Sequence, residues 1–292
     1  MKKTSFLFAL VAVGCMALFV VMSCQTAVTP GPVLSALTLA NSSGTALTSG
    51  ATTASRVLTV SGTVDEVTIT SFTLTVNTVS MSVPVTSGAF SQKITLNEGS
   101  NSISISFTNA AGGTTISNWT ITASITGGAY GIWAQLTWDT TSDMDLHLNK
   151  STGAIADGTD CYYSQKAPNW DGSGSNTPGA DTIAYPANPV LDYDNTTSYG
   201  PENTVLQTPT NGQSYSVKVR AYGGSATPTV RIYKSGTLVK TYTCPRAITS
   251  TGGTGGAKEV WSVCTISWSG GAGTITDVNT IGTSSLSTKD TK

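Results

Sequence analysis

Charged residues are scarce in this sequence of 292 residues: Asp, Glu, Lys and Arg together make up 11%, and the formal net charge is -1. No group of Lys and Arg residues is present that would neutralise a row of phosphates, so the composition argues against nucleic acid as a partner. Histidine occurs once, at position 147, whereas a catalytic zinc centre needs two or three nitrogen or sulfur ligands. The Gly-x-Ser-x-Gly motif that positions a serine nucleophile is also absent. These absences predict a protein that is not an enzyme.

Helical patterns are missing as well. No amphipathic helical pattern follows residue 25, and most polar positions are filled by Ser, Thr, Asn and the 30 Gly residues. Uncharged polar residues mixed with β-branched residues are typical of antiparallel sheets joined by tight turns. The sequence therefore predicts an all-β fold, and its length suggests two domains.

The one long apolar run lies at the N-terminus. Two lysines at positions 2 and 3 precede an apolar stretch over residues 6–22, which ends at Ser23-Cys24 before the chain turns polar. This layout is that of an export signal, and its end resembles a lipobox, in which the cysteine is acylated and becomes the new N-terminus. We therefore expect residues 1–24 to be a lipoprotein signal peptide, with Cys24 as the lipidation site and acyl chains as the membrane anchor.

Two alternatives to this lipobox stay open: an uncleaved membrane anchor, and cleavage before Cys15. The residue after Cys24 is Gln25, which is not the aspartate associated with retention at the inner membrane. We expect a location in the bacterial cell envelope, lipid-anchored at the outer membrane.

The first predicted domain covers residues 36–126 and follows a tether over residues 25–35. Apolar and polar residues alternate with a period of two in four runs, which favours strands: residues 57–60, 72–76, 102–107 and 119–122. The features Gly-Ala-Phe-Ser (88–91) and Leu-Asn-Glu-Gly-Ser-Asn (96–101) follow in an order that resembles bacterial Ig-like domains. The resemblance implies an antiparallel β-sandwich with a framework role for these motifs.

The second predicted domain covers residues 130–269 and carries the acidic motifs. Its signature consists of Trp-Asp at 138–139, Asp-Met-Asp-Leu-His at 143–147, Leu-Asp-Tyr-Asp at 191–194 and Tyr-Gly-Pro-Glu-Asn at 199–203. These residues resemble the YfaP-like family, a bacterial domain family of unknown function. The resemblance implies a second antiparallel β-sandwich in a cell-envelope protein, without a known reaction.

The same motifs contain five acids that we predict as candidate metal ligands: Asp143, Asp145, Asp192, Asp194 and Glu202. Ca²⁺ takes six to eight oxygen ligands, and carboxylates on adjacent strands supply them. Strand-end aspartates also accept backbone N–H groups at turns. A calcium site and a purely structural turn network are therefore both open. Because residues two apart share a strand face, we predict that Met144, Leu146 and Leu148 face the core. His147 then lies on the side of Asp145, where we expect it to hydrogen-bond a carboxylate.

A long loop between residues 161 and 189 holds four aromatic residues, Tyr162, Tyr163, Trp170 and Tyr185. Long loops in compact domains are often functional, so these rings are candidates for ligand contact, although they are equally suited to covering an open end of the sandwich.

Three cysteines follow Cys24. Two predicted strands around residue 254 form a hairpin that would place Cys244 opposite Cys264, so we predict a disulfide in an oxidising compartment. It would close a loop of about 20 residues and contribute about 3 kcal/mol, with Cys161 left over. Residues 270–292 lack aromatic residues and read as a flexible tail.

Together these features predict a non-enzymatic envelope lipoprotein. An Ig-like stalk would present a sandwich, stabilised by calcium in one of the two interpretations, to a glycan, a peptide or a partner protein. The competing hypotheses are a polysaccharide hydrolase that uses the acidic cluster and a structural spacer in an envelope complex.

Overall fold

The computed structural model describes residues 29–124, 130–151, 153–196, 199–250 and 258–284. Within these ranges the chain forms twenty β-strands and no helix, which confirms the all-β prediction. Accordingly, no helix of the described part is long and apolar enough to cross a membrane. The predicted signal peptide with Cys24, residues 25–28 of the tether and residues 285–292 of the tail lie outside the described residues.

The N-terminal domain is a sandwich of a three-stranded and a five-stranded sheet. Its strands are β1 (Leu34–Ala40), β2 (Thr52–Thr53), β3 (Val57–Val64), β4 (Ser71–Val76), β5 (Val79–Pro84), β6 (Ala89–Thr95), β7 (Gly99–Thr108) and β8 (Thr114–Ala123). The sheet orders are β1-β3-β6 and β2-β8-β7-β4-β5. All pairs are antiparallel except β2 with β8.

Alternation explains how this domain forms its core. Successive side chains of a strand point to opposite faces, and β4 accordingly buries Phe72 and Leu74 while its Ser and Thr residues face outward. The ring of Phe72 stacks on that of Phe107 with centroids 4.3 Å apart, and the ring of Phe90 lies 4.7 Å from that of Phe72. Phe90 comes from the predicted framework motif at 88–91, so the motif serves the core.

The C-terminal domain is also a sandwich. Its strands are β9 (Ile132–Thr137), β10 (Asp143–Lys150), β11 (Asp160–Cys161), β12 (Val190–Tyr193), β13 (Glu202–Leu206), β14 (Ser214–Gly223), β15 (Ser225–Ala226), β16 (Thr229–Lys234), β17 (Thr237–Thr243), β18 (Ile248–Thr249), β19 (Lys258–Ser269) and β20 (Ala272–Ser284). One sheet has the order β11-β10-β14-β19-β20 and the other β12-β13-β9-β16-β17, while β15 and β18 form a short pair. Apolar residues from both sheets, with the fully buried Trp261 among them, fill the space between them.

The predicted flexible tail is wrong for residues 270–284. Gly270 and Gly271, both with positive φ, make a tight turn, and β20 then pairs with β19 from Ser269↔Ala272 to Lys258↔Ser284. Ile275 and Ile281 of β20 pack against the core. These two isoleucines anchor β20 to the core, although residues 270–284 contain no aromatic side chain.

The prediction of a tether over residues 25–35 is wrong for its second part. Residues 29–33 contact the N-terminal domain, and β1 begins at Leu34. The Asn109 side chain donates a hydrogen bond to the Pro30 carbonyl (3.1 Å), and the Thr115 hydroxyl donates one to the Pro32 carbonyl (2.6 Å). Residues 29–35 are therefore part of the domain.

A buried ion pair joins the two domains. Arg56, directly before β3, contacts the carboxylate of Asp192 on β12, and both side chains are fully inaccessible to solvent. The Arg56 Nε also donates a hydrogen bond to the Ala180 carbonyl (2.6 Å). Burial raises the pKa of the Asp192 carboxyl, although the Arg56 charge acts in the opposite direction.

An apolar cluster surrounds this pair and is continuous with the N-terminal core. It includes six buried residues of the C-terminal domain on or next to β9, β12, β13, β16 and the 161–189 loop, namely Tyr130, Trp133, Ile183, Val190, Val205 and Tyr233. At its edge, the Ser42 hydroxyl donates a hydrogen bond to the Asp181 carboxylate (2.7 Å). The N-terminal domain thus packs directly onto its neighbour.

Replacement of Arg56 tests how much this joint stabilises the protein. Removing one partner of a buried ion pair leaves an uncompensated charge and typically costs about 3–5 kcal/mol. We expect Arg56→Met to lower the free energy of unfolding by this amount in urea denaturation of the full chain carrying Cys24→Ala. The double variant Arg56→Met/Asp192→Leu should lose less.

The matched control is Arg246→Met, which removes an ion pair to Glu259 whose side chains are 55% and 22% exposed. Exposed pairs contribute little, so this variant should unfold almost like the unaltered protein. An Arg56→Met loss no larger than that of the control would contradict the assigned role of the pair.

Candidate metal centre

Strand β10 supplies the first part of the site. Met144, Leu146 and Leu148 point into the apolar core, as the alternation predicted. Asp145 and His147 point to the opposite face, and they are fully buried as well. A strand buried on both faces with polar residues on one of them requires partners for every polar group.

Three carboxylates meet beside this strand. One oxygen each of Asp145, Asp194 and Glu202 lie within 4.8 Å of one another. Asp145 and Glu202 are fully buried, whereas the Asp194 side chain is 12% exposed and gives the cluster its access to solvent. Asp145 belongs to β10 in one sheet and Glu202 to β13 in the other, so the cluster connects the two sheets of the sandwich.

Backbone N–H groups hold Glu202 in place. Its Oε2 accepts a hydrogen bond from the Leu146 N–H (2.7 Å), and its Oε1 accepts one from the Asn195 N–H (3.2 Å). The peptide bond between Gly200 and Pro201 is cis, and Gly200 has a φ of 84°. A Cβ at Gly200 would lie 2.9 Å from the Leu136 carbonyl oxygen, so this close turn requires glycine. The Gly-Pro turn thus directs Glu202 toward β10.

Two cationic side chains lie next to the carboxylates. The Lys166 Nζ is 3.3 Å from the Asp194 carboxylate. In the antiparallel pairing of β10 with β14, the fully buried Arg220 stands directly opposite Asp145. Cross-strand neighbours on one face have Cβ atoms about 4.5–5.5 Å apart. Three carboxylates and two cations leave a net charge of −1 at the cluster, which moderates the repulsion among the acids.

Both interpretations of the acids therefore find support in this geometry. Three carboxylate oxygens within 4.8 Å of one another can supply three of the six to eight oxygen ligands that Ca²⁺ takes, with carbonyl oxygens or water as the others. The bonds from Leu146 and Asn195 to Glu202 are the turn network of the alternative interpretation. A hard cation is the metal class that such a set of oxygen ligands suits.

The predicted set of five ligands requires a correction, because Asp192 and Asp143 lie outside the cluster. The pairing of β12 with β13 shifts register between Leu191 and Tyr193, so Asp192 occupies a β-bulge. A bulge interrupts the strand alternation and separates Asp192 from Asp194, and the Asp192 carboxylate pairs with Arg56. Asp143 stands at the start of β10 opposite Gly223.

The single histidine is held by a carboxylate and by an aromatic ring of its own domain. The Nδ1 of His147 lies 2.7 Å from an oxygen of Asp160, and the ring stacks on Tyr162 with centroids 5.3 Å apart. The same Asp160 oxygen accepts the Ala156 N–H (2.7 Å). The carboxylate partner of His147 was predicted but not its identity, since nothing in the local sequence distinguishes Asp160 from other loop acids.

The predicted ligand-contacting aromatics are mostly not available to a ligand. Tyr162 and Tyr163 are buried. Trp170 is partly buried, stacks on Tyr215 with centroids 5.7 Å apart and donates a hydrogen bond to the Thr159 carbonyl. Only Tyr185 keeps partial exposure without such a stacking contact among the described rings. The structure therefore favours the alternative interpretation of the loop, in which its aromatic rings cover the sandwich. This holds for Tyr162, Tyr163 and Trp170.

Asn188 organises this loop and was missed in the sequence. It is fully buried, its Oδ1 accepts the N–H groups of Trp170 (2.7 Å) and Asp171 (3.1 Å), and its Nδ2 donates to the Gly174 carbonyl (2.7 Å). These bonds connect residues up to 18 positions away along the chain, so no local motif marks them.

The predicted disulfide is wrong. Cys161, Cys244 and Cys264 are free thiols, and all are buried. Strand β17, next to Cys244, pairs with β16, whereas β19, which contains Cys264, pairs with β14 and β20. The expected hairpin therefore does not form among the described residues, because the two strands belong to different sheets. Burial raises the pKa of the Cys264 thiol to about 12.

Comparison with known proteins gives one family match. The family described as glucodextranase, domain B, matches residues 42–125, which is most of the N-terminal domain. This match supports an Ig-like type of β-sandwich in the N-terminal domain. No curated protein matches the chain.

Proposed function

We propose that the protein is a non-enzymatic lipoprotein of the bacterial cell envelope, whose two joined β-sandwiches bind an external partner. The supporting observation is that the polar side chains which catalysis would need are buried and bonded within their own domain. His147, Asp145 and Glu202 are fully buried. His147 and Glu202 bond groups of their own domain, so these side chains stabilise the sandwich.

The C-terminal domain is proposed to be a YfaP-like sandwich that holds a structural Ca²⁺. The ion would bind Asp145, Asp194 and Glu202, the three carboxylates that converge between the sheets. By cross-linking β10 and β13 it would stabilise the folded state of the C-terminal domain.

Among the proposed partner classes, a glycan is favoured by the outer face of the larger N-terminal sheet. On strands β4, β5 and β7 this face presents uncharged polar side chains in register, and their cross-strand pairs include Thr73↔Ser82, Thr73↔Ser106 and Thr75↔Ser104. Strands lie about 4.8 Å apart and alternate residues about 6.8 Å apart. A flat array of hydroxyl groups complements a neutral polymer that is itself rich in hydroxyl groups.

Sedimentation with insoluble polysaccharides tests the glycan proposal. The full chain with Cys24→Ala is incubated with cellulose, chitin or peptidoglycan, and the bound fraction is measured. We expect Thr73→Glu/Ser106→Glu to weaken binding at least tenfold, because the two charges must be desolvated against a neutral surface.

The control is Thr63→Glu/Ser91→Glu, which adds the same charges on exposed positions of the smaller sheet. Equal binding by both double variants would contradict the hydroxyl face as the site. No binding to any polysaccharide would favour the structural spacer, and release of soluble sugar would favour the hydrolase.

Thermal unfolding with Ca²⁺ and with chelator tests the metal proposal. A ligand at one hundred times its dissociation constant stabilises the folded state by about 2.7 kcal/mol, so the unfolding midpoint of the full chain should rise with Ca²⁺. Asp194→Asn should abolish this rise, and Asp143→Asn should keep it, because Asp143 lies outside the cluster. If the unfolding midpoint does not rise at millimolar Ca²⁺, the metal proposal is wrong and the carboxylates form a structural turn network.

A further inference from the structure

The segment that precedes β1 fixes where the chain leaves the N-terminal domain. Besides the bonds to Pro30 and Pro32, the Val33 N–H donates to the Asp65 carboxylate (2.8 Å), and the Asp65 N–H donates to the Val33 carbonyl (3.1 Å). A Cβ at Gly113 would lie 2.1 Å from the Pro30 carbonyl oxygen, so the approach is close enough to require glycine. Residues 29–33 are thus attached along their length.

This attachment limits the distance between the domain and the predicted lipid. Cys24 is separated from Thr29 by five residue steps. An extended chain spans at most about 3.6 Å per residue, so the Cα atoms of Cys24 and Thr29 are at most about 18 Å apart. With the acyl chains of Cys24 in a bilayer, the surface around Thr29 must lie close to its headgroups.

Two exposed apolar side chains adjoin this segment. Val33 lies in the attached segment and is 59% exposed, and Val67 (74%) follows two residues after Asp65, which is bonded to Val33. Large exposed apolar groups that lie close together mark contact surfaces.

We infer that this end of the N-terminal domain, with Val33 and Val67, lies against the lipid bilayer surface. The inference rests on the proposed lipidation of Cys24 and specifies how the anchored protein is oriented. The joint through Arg56 and Asp192 then places the C-terminal domain at a fixed position relative to the membrane. Asp65 and Glu66 adjoin the contact, so zwitterionic headgroups suit it better than anionic ones.

A second group of exposed apolar residues serves as a reference. Leu238 and Val239 on β17 and Val278 on β20 are 39–42% exposed and belong to the C-terminal domain. No chain segment leading to Cys24 emerges there, so the length restriction does not bring this surface to the bilayer.

Fluorescence quenching by lipids tests the orientation. The lipidated full chain is reconstituted in phosphatidylcholine vesicles, and acylation is first verified by intact mass against Cys24→Ala. A polarity-sensitive dye is attached to Val67→Cys or, in the reference protein, to Val239→Cys, while the buried native thiols resist labelling. Quenching by lipids brominated near the headgroup is then compared.

We expect severalfold stronger quenching and a blue-shifted emission at position 67, with neither at position 239. Equal quenching at the two positions, or none at either in the acylated protein, would overturn the orientation and leave the lipidation standing. Absence of acylation would overturn both the anchor and the inference built on it.

Discussion

The buried pair of Arg56 and Asp192 is the interaction on which the rest of the arrangement depends. Both charges are fully removed from solvent, and each would be costly to bury without the other. Their pairing requires the N-terminal and C-terminal domains to meet in one orientation, around which the shared apolar cluster packs. An Ig-like stalk with a free hinge would not need such a contact. The pair therefore makes the two sandwiches a single unit.

The same pair also decides the composition of the acidic cluster. The β-bulge at Asp192 directs this residue away from Asp194 and toward Arg56 at the contact between the domains. The acidic cluster therefore consists of Asp145, Asp194 and Glu202. Arg220 and Lys166 balance part of their charge. Acids that look equivalent in the motifs thus have two separate roles, one between the domains and one between the sheets of the C-terminal sandwich.

Sequence patterns predicted the features that depend on local order. Alternation identified the strands, the inward face of β10 and the all-β fold, since side chains two apart share a face. These local patterns do not predict which distant segments of the chain pair with each other. Cys244 directly follows β17, and Cys264 lies in β19 of the other sheet. Asp192 meets Arg56 across 136 positions, and β20 is held by pairing with β19 despite its lack of aromatic residues. Asp160 and Asn188 were missed for the same reason.

The distance distribution between the two domains tests the account most directly. The distance between nitroxide labels at Ser91→Cys and Val239→Cys, exposed positions in different domains, can be measured by pulsed electron paramagnetic resonance. The full chain carries Cys15→Ala and Cys24→Ala for this purpose, and Cys161, Cys244 and Cys264 are buried. A single narrow distribution that broadens in Arg56→Met is the predicted result. A broad distribution in the protein with Arg56 intact would contradict the claim that the buried pair joins the domains into one unit.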